Sequence, residues 1–175
     1  MKNIFPWRIY TEILDISDEY NSLLKNEVTR LVPPQAPFGA VRTTYLQVHT
    51  LHNPVFSNLI SKIETEASKY AGFQVCINEF WVTVSDRGAY HAIHNHSSQI
   101  LSGVYYVDAP PNLTLDFFND KPLLKNFNQY YCEPIEAKKL ILFEGWVLHG
   151  YGPVPSVEPK IAIAFNLRDC SETLL

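Results

Sequence analysis

The stretch His94-Asn95-His96-Ser97-Ser98-Gln99-Ile100-Leu101-Ser102-Gly103-Val104-Tyr105-Tyr106-Val107 decides the reading of this chain. It joins a His-x-His pair to a β-type run, Ile100 to Val107. Side chains alternate along a strand, so positions i and i+2 share a face. His94 and His96 are therefore expected to aim two imidazoles into one interior. A second β-type run, Leu140 to Leu148, is closed by His149, and a third, Ile161 to Leu167, is opened by Lys160. Imidazole suits iron, copper, nickel and zinc, and three protein ligands leave coordination positions open. His94, His96 and His149 are the candidate metal ligands. His91 lies three residues before His94, off its strand parity, and reads as a rim residue. His49 and His52 flank a helix start, where they solvate or cap. Asp86, or another nearby carboxylate, would replace one imidazole if the third ligand were acidic.

Lys160 introduces a run, Ile161-Ala162-Ile163-Ala164-Phe165, that has the composition of a buried strand, and lysine is rarely buried without a partner. Ala162 and Ala164 share its face by parity and leave room for a small molecule. Ser102, Val104 and Tyr106 share a face of the Ile100–Val107 run. Aromatic residues Trp81, Tyr90, Trp146 and Tyr151 stand near strand ends as candidate lining of a mouth, with Asn78 and Asn166 as polar candidates for the pocket.

The 175 residues suffice for one domain with a real core. Hydrophobic residues are 46% and charged residues 18%, the balance of a globular chain. The net charge of −4, with no basic cluster, gives no electrostatic case for nucleic acid or an anionic membrane. No run is long enough to span a bilayer, and Met1 to Asp15 lacks the apolar core of a secretion signal. Cys76, Cys132 and Cys170 are odd in number and widely spaced. They are expected to be free thiols in a reducing, cytoplasmic compartment.

Along the chain, residues 4–14 read as extended. Asp18 to Leu31 reads as a helix capped by Asp18, with Tyr20, Leu23, Leu24, Val28 and Leu31 at helical spacing. Pro33, Pro34 and Pro37 force a loop, and Arg42 to Val48 reads as a strand. A second helix runs from Asn53-Pro54 to about Ala71 and stops at Gly72. Short β-like runs follow: Gln74–Ser85, Ala89–His94, Ile100–Val107, Leu113–Phe118, Lys139–Leu148 and Lys160–Leu167. Strands at this spacing indicate a sandwich or jelly roll. The expectation is a mainly β, single-domain chain over residues 1–175. Residues 1–72 supply two N-terminal helices packed on one face, and residues 73–170 the jelly-roll core.

The chain resembles the iron(II)/2-oxoglutarate-dependent oxygenase superfamily, and more narrowly a bacterial and phage group within it. The resemblance rests on Trp81 to Gly88, His94-Asn95-His96 through Leu101-Ser102-Gly103-Val104-Tyr105-Tyr106-Val107, Leu140 to His149, and Lys160 to Asn166. It implies a double-stranded β-helix that holds Fe(2+) and 2-oxoglutarate and hydroxylates a small-molecule or peptide substrate. It also implies that Lys160 pairs with the far carboxylate of 2-oxoglutarate, with Tyr106 or Ser102 as a second donor. Two positions depart from the common superfamily pattern. Histidine stands at 96, where an aspartate or glutamate is usual, and lysine stands at 160, where arginine is usual. Two alternatives stay open at this level: a cupin-like three-histidine metalloenzyme that does not use 2-oxoglutarate, and a non-enzymatic jelly-roll binding module.

Overall fold

The computed structural model describes residues 8–45, 50–119 and 130–171. In chain order they form β1 (Ile9–Ile13), α1 (Asp18–Leu31), β2 (Arg42–Thr43), a short 3-10 turn (Pro54–Phe56), α2 (Ser57–Ala71), β3 (Val75–Ser85), β4 (His91–His94), β5 (Leu101–Asp108), β6 (Thr114–Phe118), β7 (Tyr130–Pro134), β8 (Lys139–Glu144), β9 (Leu148–Tyr151) and β10 (Lys160–Asp169). The fold is mainly β with two helices. A six-stranded sheet runs β1-β8-β5-β10-β3-β2 and a four-stranded sheet runs β4-β9-β6-β7, with every pairing antiparallel.

The six-stranded sheet separates two apolar clusters by strand parity. Leu140 and Leu142 of β8, Leu101 and Tyr105 of β5, and Ile161, Ile163 and Phe165 of β10 join one cluster, together with Leu24 and Val28 of α1 and Leu59, Ile63 and Ala67 of α2. The alternate residues Ile141 and Phe143, Tyr106, and Ala162 join the other, with Leu115 and Phe117 of β6 and Val147 and Val154. Near-continuous apolar runs in β8 and β10 are what a strand buried on both faces requires. The second face, toward the four-stranded sheet, carries the candidate site.

Local chemistry explains most boundaries. Helix α1 begins where expected, but its cap is Ser17, whose side chain accepts the Tyr20 amide; Asp18 lies in the first turn, where a carboxylate complements the helix dipole. Helix α2 follows the Pro54 turn and ends at Gly72 with φ +82°, a conformation that favours glycine. The expected strand from Arg42 is confined to Arg42–Thr43 among the described residues; the rest of that expectation, and His49, lie outside them. Strand β7 is an addition to the expected set.

Two expectations are corrected. The run Lys139–Leu148 is not one strand: β8 belongs to the six-stranded sheet and β9 to the four-stranded sheet, with a turn at 145–147 between them. Gly145 makes that crossing possible. Its carbonyl accepts the His96 amide at 2.6 Å, its own amide donates to the Ile100 carbonyl at 3.2 Å, and a Cβ there would lie 2.3 Å from the Gln99 oxygen. Cys76 and Cys170 are not free thiols but a disulfide, with Cα atoms 5.3 Å apart. The antiparallel β3–β10 register sets Asp169 opposite Val75 and so brings together cysteines 94 residues apart, which a search for short spacings does not see. The bond removes the argument for a reducing compartment that rested on unpaired cysteines. Cys132 is free and exposed. No helix among the described residues is long and apolar enough to cross a membrane.

The Gly145→Ala variant forces backbone apart rather than a flexible side chain. It is expected to lose about 1–3 kcal/mol of stability, measured by chemical denaturation, and to disturb the His96 loop to which Gly145 is bonded. A variant as stable as the parent would mean that the crossing tolerates a side chain.

Candidate active site

Three of the six histidines meet in one place. His94, at the end of β4, and His149, in β9, are directly opposite each other in the antiparallel register, and their ring centroids lie 4.3 Å apart. His96 follows β4 in the turn tied to Gly145, and its ring lies 5.1 Å from that of His94 and 5.3 Å from that of His149. One ligating atom from each of the three falls within 4.8 Å of the others. The cluster therefore draws one residue from each of β4, the following turn and β9.

The protonation pattern suits a cation. His94 Nδ1 is 2.8 Å from the Ala92 carbonyl and His149 Nδ1 is 2.9 Å from the Val147 carbonyl. A carbonyl only accepts, so each Nδ1 carries the proton and each Nε2 keeps a lone pair free for a metal. Burial holds His149 down to about 3 and His96 to about 4, with neighbouring imidazoles adding to the effect. Both rings are neutral at pH 7, the form that ligates. Three converging imidazoles, two of them held neutral by burial, fit a divalent transition metal.

The cluster opens into a cavity of about 480 Å³ between the sheets. The parity reading of its wall holds: Ser102, Val104 and Tyr106 of β5, and Lys160, Ala162 and Ala164 of β10, all line it. Lys160 is 4% exposed, and among the described residues it has no ion pair or hydrogen bond. Its Nζ sits 3.4 Å from the Tyr151 ring centroid and 5.9 Å from that of Tyr106. Burial lowers its pKa to about 7. A buried ammonium without a counter-charge, beside small side chains, fits an anionic ligand.

The possible second donors differ. Ser102 Oγ donates to Asn166 Oδ1 at 2.6 Å, so its proton is committed inside the wall. The Tyr106 hydroxyl is fully buried, and burial raises its pKa, so it stays protonated and able to donate. Tyr151 pairs its hydroxyl with Ser85 at 2.9 Å. Trp81 and Tyr90 line the cavity as expected, whereas Asn78, Trp146 and Asn166 are not part of its lining. Asn78 instead donates to Gln99 at 3.0 Å, Trp146 is exposed, and Asn166 lies buried behind His96.

Other readings are refined. His91 is exposed and lines the cavity, its ring tilted and 4.2 Å from that of His94; a bulge between His91 and His94 interrupts simple parity. Asp86 is engaged by Arg42 through two hydrogen bonds of 2.8 and 2.9 Å, away from the histidines. His52 is exposed. Val41, Thr43 and Tyr45 of the cavity wall are not among the expected residues. Tyr151, expected only at the mouth, meets Lys160. Its position two residues after His149 is the signal that sequence offers.

Comparison with known families decides the class. Residues 79–166, half of the chain, match the family described as "Putative 2OG-Fe(II) oxygenase". The chain belongs to this family. It is an iron(II)- and 2-oxoglutarate-dependent oxygenase, the first of the readings that the sequence supports.

No curated protein sequence matches it. Solved structures share the fold at low identity. The non-heme alpha-ketoglutarate-dependent epimerase SnoN from nogalamycin biosynthesis is 12% identical, with a TM-score of 0.73 over 92% of this chain and 78% of that one. HygX from Streptomyces hygroscopicus, with nickel, 2-oxoglutarate and hygromycin B bound, is 12% identical, with a TM-score of 0.73 over 94% of this chain and 84% of that one. EctD from S. alaskensis with bound Fe is 14% identical, with a TM-score of 0.72 over 95% of this chain and 74% of that one. The oxygenase's two antiparallel sheets are thus similar to the jelly roll of 2-oxoglutarate oxygenases.

Lysine burial sets a pH signature. The unfolded chain holds the Lys160 proton up to about 10.5, while the folded protein releases it near 7. Between those values the folded state binds fewer protons, so its stability rises with pH. Lys160→Met removes this penalty. The variant is expected to melt higher than the parent at pH 7, with the gain shrinking toward pH 10. A gain independent of pH would contradict the account.

Proposed function

We propose that His94, His96 and His149 hold iron(II), and that Lys160 anchors the distal carboxylate of 2-oxoglutarate with the Tyr106 hydroxyl as second donor. The observation that carries this reading is that three converging imidazoles and one buried lysine amine without an ion-pair partner share a single cavity. Ser102 is reassigned from co-substrate contact to wall structure, because its proton goes to Asn166. When bound, iron and 2-oxoglutarate would supply oxidation of a substrate C–H bond by dioxygen, one oxygen atom going to the substrate and the other to the succinate left as 2-oxoglutarate loses CO2.

The chain's own groups perform the rest. The Val147 and Ala92 carbonyls hold two ligand rings in the required tautomer. Lys160, over the Tyr151 face, offers a point charge rather than the planar fork of arginine, so orientation of the carboxylate falls to the tyrosine hydroxyl. Phe143, whose ring is 4.5 Å from that of His149, and Leu115 close the inner end against water. Ala162 and Ala164 leave the space in which the co-substrate lies.

Substrate enters past Tyr45, Trp81 and Tyr90. Tyr45 meets Trp81 edge-on at 5.2 Å, and Tyr45 and Tyr90 are each about half exposed, as suits a mouth. The cavity volume is that of a small-molecule site or of one inserted peptide side chain. Helices α1 and α2 support the outer face of the six-stranded sheet, so that residues 1–175 act as one unit; their apolar stripes in the first cluster favour this.

The test is spectroscopic. Without oxygen, the protein with iron(II) is expected to develop a visible charge-transfer band on addition of 2-oxoglutarate. His149→Ala is expected to lose iron and band together. Lys160→Met is expected to keep iron and to need about 30-fold or more 2-oxoglutarate, the loss expected for a buried charge partner. A parent without the band would overturn the assignment, and so would a Lys160→Met variant with parental 2-oxoglutarate affinity.

A further inference from the structure

A buried cation normally meets a carboxylate, which stabilises it and also neutralises it. Among the described residues Lys160 meets no carboxylate. It meets a ring. Its Nζ lies 3.4 Å from the Tyr151 ring centroid. That is well inside the roughly 6 Å reach of a cation–π contact. The face of an aromatic ring is negative, so it attracts an ammonium, yet the ring carries no net charge. The lysine charge therefore stays available to an anion on its other side. The Tyr106 ring is more distant, at 5.9 Å.

The Tyr151 ring is itself fixed at both ends. Its backbone belongs to β9, where Tyr151 stands opposite His91. Its hydroxyl is 2.9 Å from Ser85 Oγ. Ser85 is buried, and it is the residue of β3 directly opposite Lys160 on β10. Opposite residues of an antiparallel pair share a face, so the Ser85 and Lys160 side chains leave the six-stranded sheet side by side. Tyr151 reaches across from the four-stranded sheet and meets both. One ring thus joins the two sheets where the lysine head has to stay. The need for it follows from the residue type. Arginine presents a rigid fork, whereas lysine carries its charge on a flexible four-carbon stem, and the head must be placed by a neighbour.

We propose that Tyr151 is a positioning residue for the co-substrate: its ring face holds the Lys160 ammonium in place, without neutralising it, before the distal carboxylate of 2-oxoglutarate arrives. The inference rests on the reading of Lys160 given above. The fold makes this contact by itself, so binding of the anion does not bear the cost of gathering the ammonium. Ser85 is the brace that keeps the ring at the right height above the sheet.

The test measures 2-oxoglutarate binding to the whole Co2+-loaded protein by calorimetry and needs no turnover. Tyr151→Leu removes the ring and is expected to weaken binding by about 10-fold, the order of one desolvated cation–π contact. Tyr151→Phe keeps the face and loses only the bond to Ser85, so it is expected to stay within about 3-fold of the parent. A fluorinated phenylalanine at position 151 keeps the ring's shape, and so its packing, but strips the face of negative charge. It is expected to lose as much as Tyr151→Leu. The deciding comparison is made in a Lys160→Met background, where Tyr151→Leu is expected to cost less than about 2-fold more. A residue that only shaped the wall would cost the same in both backgrounds, and that result would overturn the proposal. Parental affinity in Tyr151→Leu or in the fluorinated variant would overturn it too, as would equal losses in Tyr151→Phe and Tyr151→Leu. If Lys160→Met itself bound 2-oxoglutarate like the parent, the co-substrate reading would fall first, which separates the two failures.

Discussion

The structure depends on one register. His94 and His149 face each other across β4 and β9, and that pairing decides where every other functional group has to be. A slip of one residue would turn one ring to the opposite face. The register is held by three further backbone contacts. Gly145 accepts the His96 amide, Gly150 comes so close to β4 that a Cβ would lie 2.8 Å from the His91 carbonyl, and Val154 exchanges backbone hydrogen bonds with the turn at Gly88 and Ala89. These contacts join the short four-stranded sheet to the long one at the mouth of the cavity.

The two sheets divide the work. The six-stranded sheet has apolar side chains buried on both faces of β8 and β10, and it presents Lys160 and Tyr106. The four-stranded sheet presents His94 and His149. His96, in the turn between β4 and β5, bridges the two, with its ring 6.0 Å from Trp81 on one side and near those of His94 and His149 on the other. Metal and co-substrate binding would therefore tie together elements far apart in the chain.

Much of this is legible in the sequence because it depends on period. Parity places Ser102, Val104 and Tyr106 on one wall and Lys160, Ala162 and Ala164 on another, and all six line the cavity. Helix α1 and most of the β-runs are readable from apolar spacing and from proline and glycine punctuation. What does not show is non-local. The Cys76–Cys170 bond depends on strand register, not spacing. The break between β8 and β9 is hidden in a continuous apolar run, with only Gly145 to mark it. The bulge between His91 and His94 is not visible to simple parity either; His91 is exposed and lines the cavity. Asn166 stands out as a polar candidate for the pocket, but its bonds to Glu79 and Ser102 follow from two strand pairings that a linear reading does not contain.

The central claim is geometric, so diffraction tests it most directly. Crystals grown without oxygen in iron(II) and 2-oxoglutarate should give one anomalous peak at the iron edge. That peak should lie roughly 2.0–2.2 Å from one nitrogen each of His94, His96 and His149, with a dicarboxylate reaching from it to Lys160. A peak that leaves out any of the three rings, or a co-substrate carboxylate directed away from Lys160, would contradict the account.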